Sequence, residues 1–296
     1  VRIVSLIPSA TEIVCALGGR DQLVGRSHEC DYPADVAALP ALTRPRLPLS
    51  GGSRAIDDAV TRAITDGIAV YEVDLALLAE LAPDVIVTQD QCEVCAASLA
   101  QVEEAVCAVL PSRPVIVSLK PASLGDAYDD IRRVGAAIGR DPAPVIAGMR
   151  ARIERTPATG TPPLVAFLEW VDPLMGPGLW TPETIAVAGG LSVLGEAGKH
   201  TVKRPPEALA ASEPDYIVVA PCGYGIAESL KERDLLTALA GWADIPAVRN
   251  GRVAIADGNA YFNRPGPRLA DSVEILRDIF AGKPGDGARY VWLKDV

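Results

Sequence analysis

One pattern occurs twice in this chain, and it narrows the fold to a single class. From Leu78 the sequence reads LAELAPDVIVTQDQC, and from Leu209 it reads LAASEPDYIVVAPCG. Each copy runs from a helix end through Pro-Asp into a short apolar run, then into polar loop residues with a cysteine. The pairs Pro83-Asp84 and Pro214-Asp215 end one element and open the next, because proline cannot continue a helix. The runs Val85-Ile86-Val87 and Ile217-Val218-Val219 are short, β-branched and apolar at every position, the signature of strands buried on both faces. A second echo reinforces the first. RIVSLIPSATEIVCALGG (Arg2 to Gly19) and PLVAFLEWVDPLMGPGLWTPETIAVAGG (Pro163 to Gly190) each read strand, loop, helix, Gly-Gly. Two matched units predict two α/β lobes with parallel-type sheets flanked by helices, and a ligand cleft between them.

Between the echoes, residues 123–156 are mostly helical in pattern, with a Gly-Arg-Asp-Pro break at 139–142. The expected organisation is an amino-terminal lobe over 1–121, a helical connection over 122–157, a second lobe over 158–281 and a tail over 282–296. A helical connection limits hinge motion more than a flexible linker does. In the first lobe, Ser9 or Thr11 is expected to cap a helix from Glu12 to Leu17, and Asp74 one ending at Leu81. Further helices are expected over Leu99–Val109, Arg204–Ala211, Glu228–Leu239 and Pro267–Phe280, with Pro40–Gly52 as loop.

Composition excludes several function classes. A net charge of −10 lacks the basic face that nucleic-acid binding needs. No segment approaches the ~18 consecutive apolar residues of a membrane-spanning helix. There is no Gly-x-Ser-x-Gly elbow and no phosphate-cradling glycine loop, so the chain reads as a non-enzymatic, monomeric binding protein. It opens directly on a strand without the basic and apolar regions of a signal peptide. As it stands that reads as cytoplasmic, or as extracytoplasmic or lipid-anchored if a leader was removed.

Ligands of open α/β sheets bind beyond the carboxyl ends of the strands. There the sequence places Asp31 and Tyr32, Gln89 and Gln91, Glu169, Trp170 and Trp180, Tyr224, and Tyr261, Phe262 and Arg264. Aromatic residues make up only 5% of the chain, so their gathering in strand-end loops points to a flat, partly apolar ligand. His28, Cys30, Cys92, Cys95 and Cys222 fall in the same class of loops. Thiolate and imidazole suit zinc or another transition metal. The same cysteines could form a redox dithiol, or pack as small residues at loop bases. Cys15 and Cys107 fall on apolar helix faces and read as core.

The segments VSLIPSATEIVCALGG, VGRSHECDYP, LLAELAPDVIVTQ, PLMGPGLWTPETIAVAGG and EPDYIVVAP, in that order, resemble the periplasmic cobalamin-binding proteins. These belong to the helix-linked (class III) substrate-binding proteins of ABC transporters, which also include siderophore and haem binders. The resemblance covers Arg2 to about Phe280 and is more specific for the scaffold than for the ligand. It implies a corrinoid held between the lobes, passed to an ABC transporter permease. Asp31-Tyr32-Pro33, Gln89 to Cys95, Leu174 to Trp180 and Tyr261 to Arg264 match the family's cleft segments. The cluster of thiols with His28 departs from the family pattern. It leaves two rivals: a metal or metal-chelate (siderophore or haem) binder, and a thiol-dependent corrinoid-processing enzyme using Cys92 or Cys95.

Overall fold

A computed structural model describes residues 1–47, 51–66, 70–90, 102–103, 106, 113–155 and 160–296. The expected helix over Leu99–Val109 and the residues Gln91, Cys92, Cys95 and Cys107 lie outside those described. The chain forms two compact units. The first comprises Val1–Ser50, Asp58–Pro121 and Gly125–Gly148, and the second Gly51–Asp57, Ala122–Leu124 and Met149–Val296.

In the first unit the strands β1 (Ile3–Ser5), β2 (Leu23–Gly25), β5 (Val85–Gln89) and β6 (Val115–Leu119) make a parallel sheet in the order β2-β1-β5-β6. Every residue of β5 is buried, the apolar Val85-Ile86-Val87 and the polar Thr88 and Gln89 that follow them alike. Val4, Leu6, Leu42, Leu78 and Ile86 form the core on one face. Two strands outside the sheet, β3 (Thr43–Pro45) and β4 (Tyr71–Val73), pair antiparallel. Helix α1 (Pro8–Ala16) begins earlier than the capping pattern suggested, with a proline in its first turn and no side-chain cap. The Thr11 hydroxyl instead donates to Ser5 Oγ (2.8 Å) and Cys30 Sγ (2.9 Å), tying the helix to β1 and to the loop after β2. Helix α2 (Gly52–Thr65) has its first six residues in the second unit and the rest in this one, and α3 (Leu75–Leu81) is capped by Asp74, whose carboxylate accepts the Leu77 N–H at 3.0 Å. The helical stretch after β6 divides into α4 (Leu124–Ile138) and α5 (Ala143–Ile153), interrupted where Gly139 takes a φ of 69° ahead of Pro142.

The second unit repeats the plan. Strands β7 (Leu164–Leu168), β8 (Leu191–Ser192), β9 (Tyr216–Val219), β10 (Val253–Ala256) and β11 (Tyr290–Trp292) order as β11-β10-β9-β7-β8. All pairs are parallel except β10 with β11, so the tail supplies an antiparallel edge strand. Reading outward from β7, β8-β7-β9-β10 copies β2-β1-β5-β6. Helices α6 (Thr181–Ala188), α7 (Glu207–Ala211), α8 (Ile226–Lys231), α9 (Arg233–Thr237), α10 (Pro246–Arg249) and α11 (Leu269–Phe280) complete it. Two expectations need correction. The helix expected from Arg204 starts only after Pro205-Pro206. The helix expected over Glu228–Leu239 is two, broken at Glu232, whose carboxylate is engaged elsewhere.

The duplicated Pro-Asp has one physical job in both units. Asp84 accepts the Arg2 N–H at 2.8 Å, and Asp215 accepts the Leu164 N–H at 2.8 Å. In return the Arg2 and Leu164 carbonyls accept the aspartates' own N–H groups at 2.9 and 2.8 Å. Each aspartate thus starts two neighbouring parallel strands in register.

Candidate functional site: the strand-end loops of the second unit

In a sheet of this order, the strand sequence reverses between β7 and β9, and the crevice beyond their carboxyl ends is where such folds bind ligands. The loop after β7 carries Trp170, and the loop after β9 carries Tyr224. Their rings lie 5.3 Å apart at an interplanar angle of 59°. This tilted contact is worth about 0.5–1.5 kcal/mol beyond area burial and holds both side chains in place. The loop after β10 adds a turn over Gly258–Phe262, capped by Asp257, whose carboxylate accepts the Ala260 N–H at 2.7 Å. The Asn259 N–H donates to the Tyr224 carbonyl at 3.0 Å, so the loops after β9 and β10 are joined through backbone.

Trp180 is anchored by its indole N–H, which donates to the Phe262 carbonyl at 3.0 Å. Phe262 itself is buried with its ring 5.1 Å from that of Phe167, so its side chain packs into the core while its carbonyl organises the loop. Tyr261 is partly exposed beneath the Arg268 guanidinium, which sits 5.5 Å from the ring centre. Arg264 is buried and donates to Asn259 Oδ1 at 2.9 Å. Glu169 accepts the Gly178 N–H at 3.1 Å and the Thr201 hydroxyl, bracing the long loop between β7 and α6. Burial pushes its pKa up, opposed by the hydrogen bonds from Thr201, Gly178 and Thr181. The Tyr224 hydroxyl is also shifted up, by burial first and then by the charges of Glu232 and Glu228. Burial likewise raises Tyr261, with Asp271 and Asp257 adding to the rise and Arg268 opposing it.

Gly51–Asp57 also lies against these loops. The Trp170 indole N–H donates to the Ser53 carbonyl at 3.1 Å, while Ser53 gives its N–H (3.1 Å) and hydroxyl (2.5 Å) to the buried Glu232 carboxylate. Arg54 pairs with Asp172, and Lys203 with Asp57 at 2.7 Å. Sequence reasoning passed over this segment. Its signal was Gly51-Gly52-Ser53, two permissive residues before a capping one, but nothing local points to Glu232, 179 residues away.

The remaining sequence candidates sit in the first unit or apart. Gln89 is buried at the end of β5, and Asp31 and Tyr32 are exposed after β2. His28 is half-buried, its Nδ1 2.7 Å from Thr43 Oγ1 and its ring 5.3 Å from that of Tyr71. Burial, then the Arg26 charge, lowers its pKa and favours the neutral imidazole. Cys30 is buried, whereas Cys222 is exposed in the second unit. Cys15, expected in the core, is only half-buried near Arg20, Asp35 and Glu12; burial raises its pKa to about 11, which makes it a poor nucleophile. Among the described residues no three His, Cys, Asp or Glu side chains converge as a metal site would require. A cavity of about 380 Å3 lies at the other end of the second sheet, lined by Tyr216, Arg252, Phe280, Trp292 and Lys294. It lies at the start of β9 and β10, away from the strand-end loops.

Residues 3–260 match the family model described as "Periplasmic binding protein". Similar solved structures include a possible iron-binding (periplasmic solute-binding) protein from Staphylococcus epidermidis, 20% identical over 94% of this chain and 98% of that chain, with a TM-score of 0.72. A periplasmic haem-binding protein from Roseiflexus is 25% identical over 94% of this chain and 98% of that one, with a TM-score of 0.65. The periplasmic vitamin B12-binding protein of Vibrio cholerae is 18% identical over 95% and 96%, with a TM-score of 0.62. No curated protein sequence matches. Family and neighbours are binding proteins, which sets the thiol-dependent enzyme aside. Among the described residues no helix is long and apolar enough to cross a membrane. With a doubled α/β plan and a family match over most of its length, this chain belongs to the periplasmic binding proteins, as a solute-binding protein of the ABC-transporter type.

Proposed function

We propose that the protein captures a corrinoid, a cobalamin-like ligand, and passes it to an ABC-type permease outside the cytoplasmic membrane. The observation that carries this reading is the Trp170–Tyr224 pair at the strand-order reversal, with Trp180 and Tyr261 in the adjoining loops. Aromatic faces cover the flat macrocycle, while loop backbone and the Asn259 side chain suit its peripheral amides. Held side chains lose little freedom when the ligand arrives.

The chief rival is haem or another iron chelate, favoured by the likeness to the Roseiflexus haem-binding protein. One feature weighs toward the corrinoid. Haem brings two carboxylates into a protein of net charge −10, whereas corrinoid side chains are largely neutral amides. Titration with cyanocobalamin, followed by corrin absorbance and calorimetry, tests the reading. Binding tighter than tens of micromolar, about −6 kcal/mol, is expected. Its absence alongside tight binding of hemin would reassign the ligand to haem. Metal analysis of protein as purified tests the reading that His28, Cys30, Cys92, Cys95 and Cys222 hold zinc.

A further inference from the structure

We infer that Glu232 is a positioning residue: by gripping Ser53 it fixes the first turn of α2 and thereby sets the orientation of the Trp170 indole. The inference rests on the proposed ligand site only in its final step, from indole orientation to ligand kinetics.

Ser53 is fully buried and Glu232 is 4% exposed, so this carboxylate has left water and must be compensated. Among the described residues its hydrogen bonds come from Ser53, with Oε1 taking the Ser53 N–H and Oε2 the Ser53 hydroxyl. The first N–H groups of a helix have no partner within the helix, and a carboxylate there also meets the positive end of the helix dipole. Glu232 therefore does for α2 what a capping side chain does, from the far side of the sequence. It is free to do so because the chain breaks its own helix at that residue, between α8 and α9.

The other side of Ser53 faces the indole. Its carbonyl accepts the Trp170 N–H, so one backbone unit is held at its donor by Glu232 and holds Trp170 at its acceptor. The approach is built for this contact. Gly51 and Gly52 enter with φ of 104° and 86°, and a Cβ on Gly52 would stand 3.1 Å from Glu232 Oε1. The ion pairs Arg54–Asp172 and Lys203–Asp57 flank the segment with largely exposed cations, where such pairs contribute little. The grip therefore lies with Glu232.

The test uses Glu232→Gln and Ser53→Ala in the full chain, each also combined with Trp170→Phe so that Trp170 emission is read by difference. Expected for both are amide exchange at 53–57 faster by about tenfold or more, a red shift of the Trp170 difference emission, and cyanocobalamin dissociation faster by about tenfold. Unchanged exchange and emission in both variants would overturn the inference, as would faster exchange with an unmoved Trp170 spectrum. Should Glu232→Gln fail to fold, Ser53→Ala gives the same three readings with a smaller perturbation. If neither cyanocobalamin nor hemin binds the wild-type protein, the ligand reading falls, and exchange and emission still decide the role of Glu232.

Discussion

The two copies of the strand–loop–helix unit agree at their ends and differ in their middles. Both start on an aspartate that seats the first strand. Both finish on paired glycines: Gly18 and Gly19 donate to the Cys15 and Val14 carbonyls, as Gly189 and Gly190 do to those of Ala186 and Ile185. Between these matching ends, β1 reaches α1 through Leu6 and Ile7 alone, whereas β7 reaches α6 through residues 169–180. That longer loop carries Glu169, Trp170 and Trp180. The scaffold is thus set by short-range rules that the chain uses twice, and the residues proposed to bind ligand fall where the second copy departs from the first.

The shared ends should break first and hardest. Asp215→Ala removes a partly buried, charge-assisted acceptor from the Leu164 N–H and should cost about 1.5–3 kcal/mol in urea unfolding. Asp84→Ala removes the same bond at an exposed position and should cost less, because water replaces the acceptor. Equal losses would mean that the two clamps are not set apart by solvent. The loop that differs should answer to ligand instead. Trp170→Ala should weaken cyanocobalamin binding about tenfold, 1.4 kcal/mol, and lower stability in urea by about 0.5–1.5 kcal/mol or more, the worth of the Tyr224 contact. A large loss of stability with unchanged affinity would make Trp170 a core residue.

The contrast explains what could be read from the sequence. Pro-Asp, β-branched runs and Gly-Gly announce elements because their causes are local: a missing N–H, a crowded Cβ, a positive φ. Hence β1, β5, β7 and β9, Asp74 as a cap and the glycine stops were legible, whereas the two-residue β8 and the edge strand β11 were not. The Ser9 or Thr11 cap was misjudged because a proline already starts α1 and Thr11 serves Ser5 and Cys30. The grip of Glu232 on Ser53 was illegible because the two residues lie 179 positions apart. The aromatic loop residues could be named from their position after strands. Their grouping depends on strand order, which decides that the loops after β7 and β9 are neighbours.

The glycine ends offer a finer comparison. Gly18 takes a φ of 74° with open space at its missing Cβ, so Gly18→Ala meets only the backbone penalty, about 1 kcal/mol. In the second copy, a Cβ on Gly190 would lie 2.8 Å from Val165 Cγ2 and 3.0 Å from the Phe280 ring. Gly190→Ala should therefore exceed Gly18→Ala by overpacking the core, with a penalty of about 1–3 kcal/mol. Thermal unfolding of the two variants checks the order, and the reverse order would place the tighter packing in the first copy.

The smallest effect is expected at Glu169, for which the short loop of the first copy has no counterpart. Burial raises its pKa in the folded protein above the usual 4.5 of a glutamate, so the folded chain holds this proton more tightly than the unfolded one. The group's contribution to stability is thus fully present below pH 4.5 and is lost as pH rises through the folded pKa. Above pH 4.5 burial therefore works against the folded state at this carboxyl, opposed by the bonds from Thr201, Gly178 and Thr181. Glu169→Gln keeps an acceptor for the Gly178 N–H and can donate its amide to Thr201 Oγ, while removing the buried charge. The variant should match or slightly exceed the wild-type urea midpoint at pH 7 and lose that advantage on acidification toward pH 4.5. A variant less stable at pH 7 by a margin that shrinks on acidification would show that the carboxylate's bonds outweigh its burial, and that the long loop is held by charge.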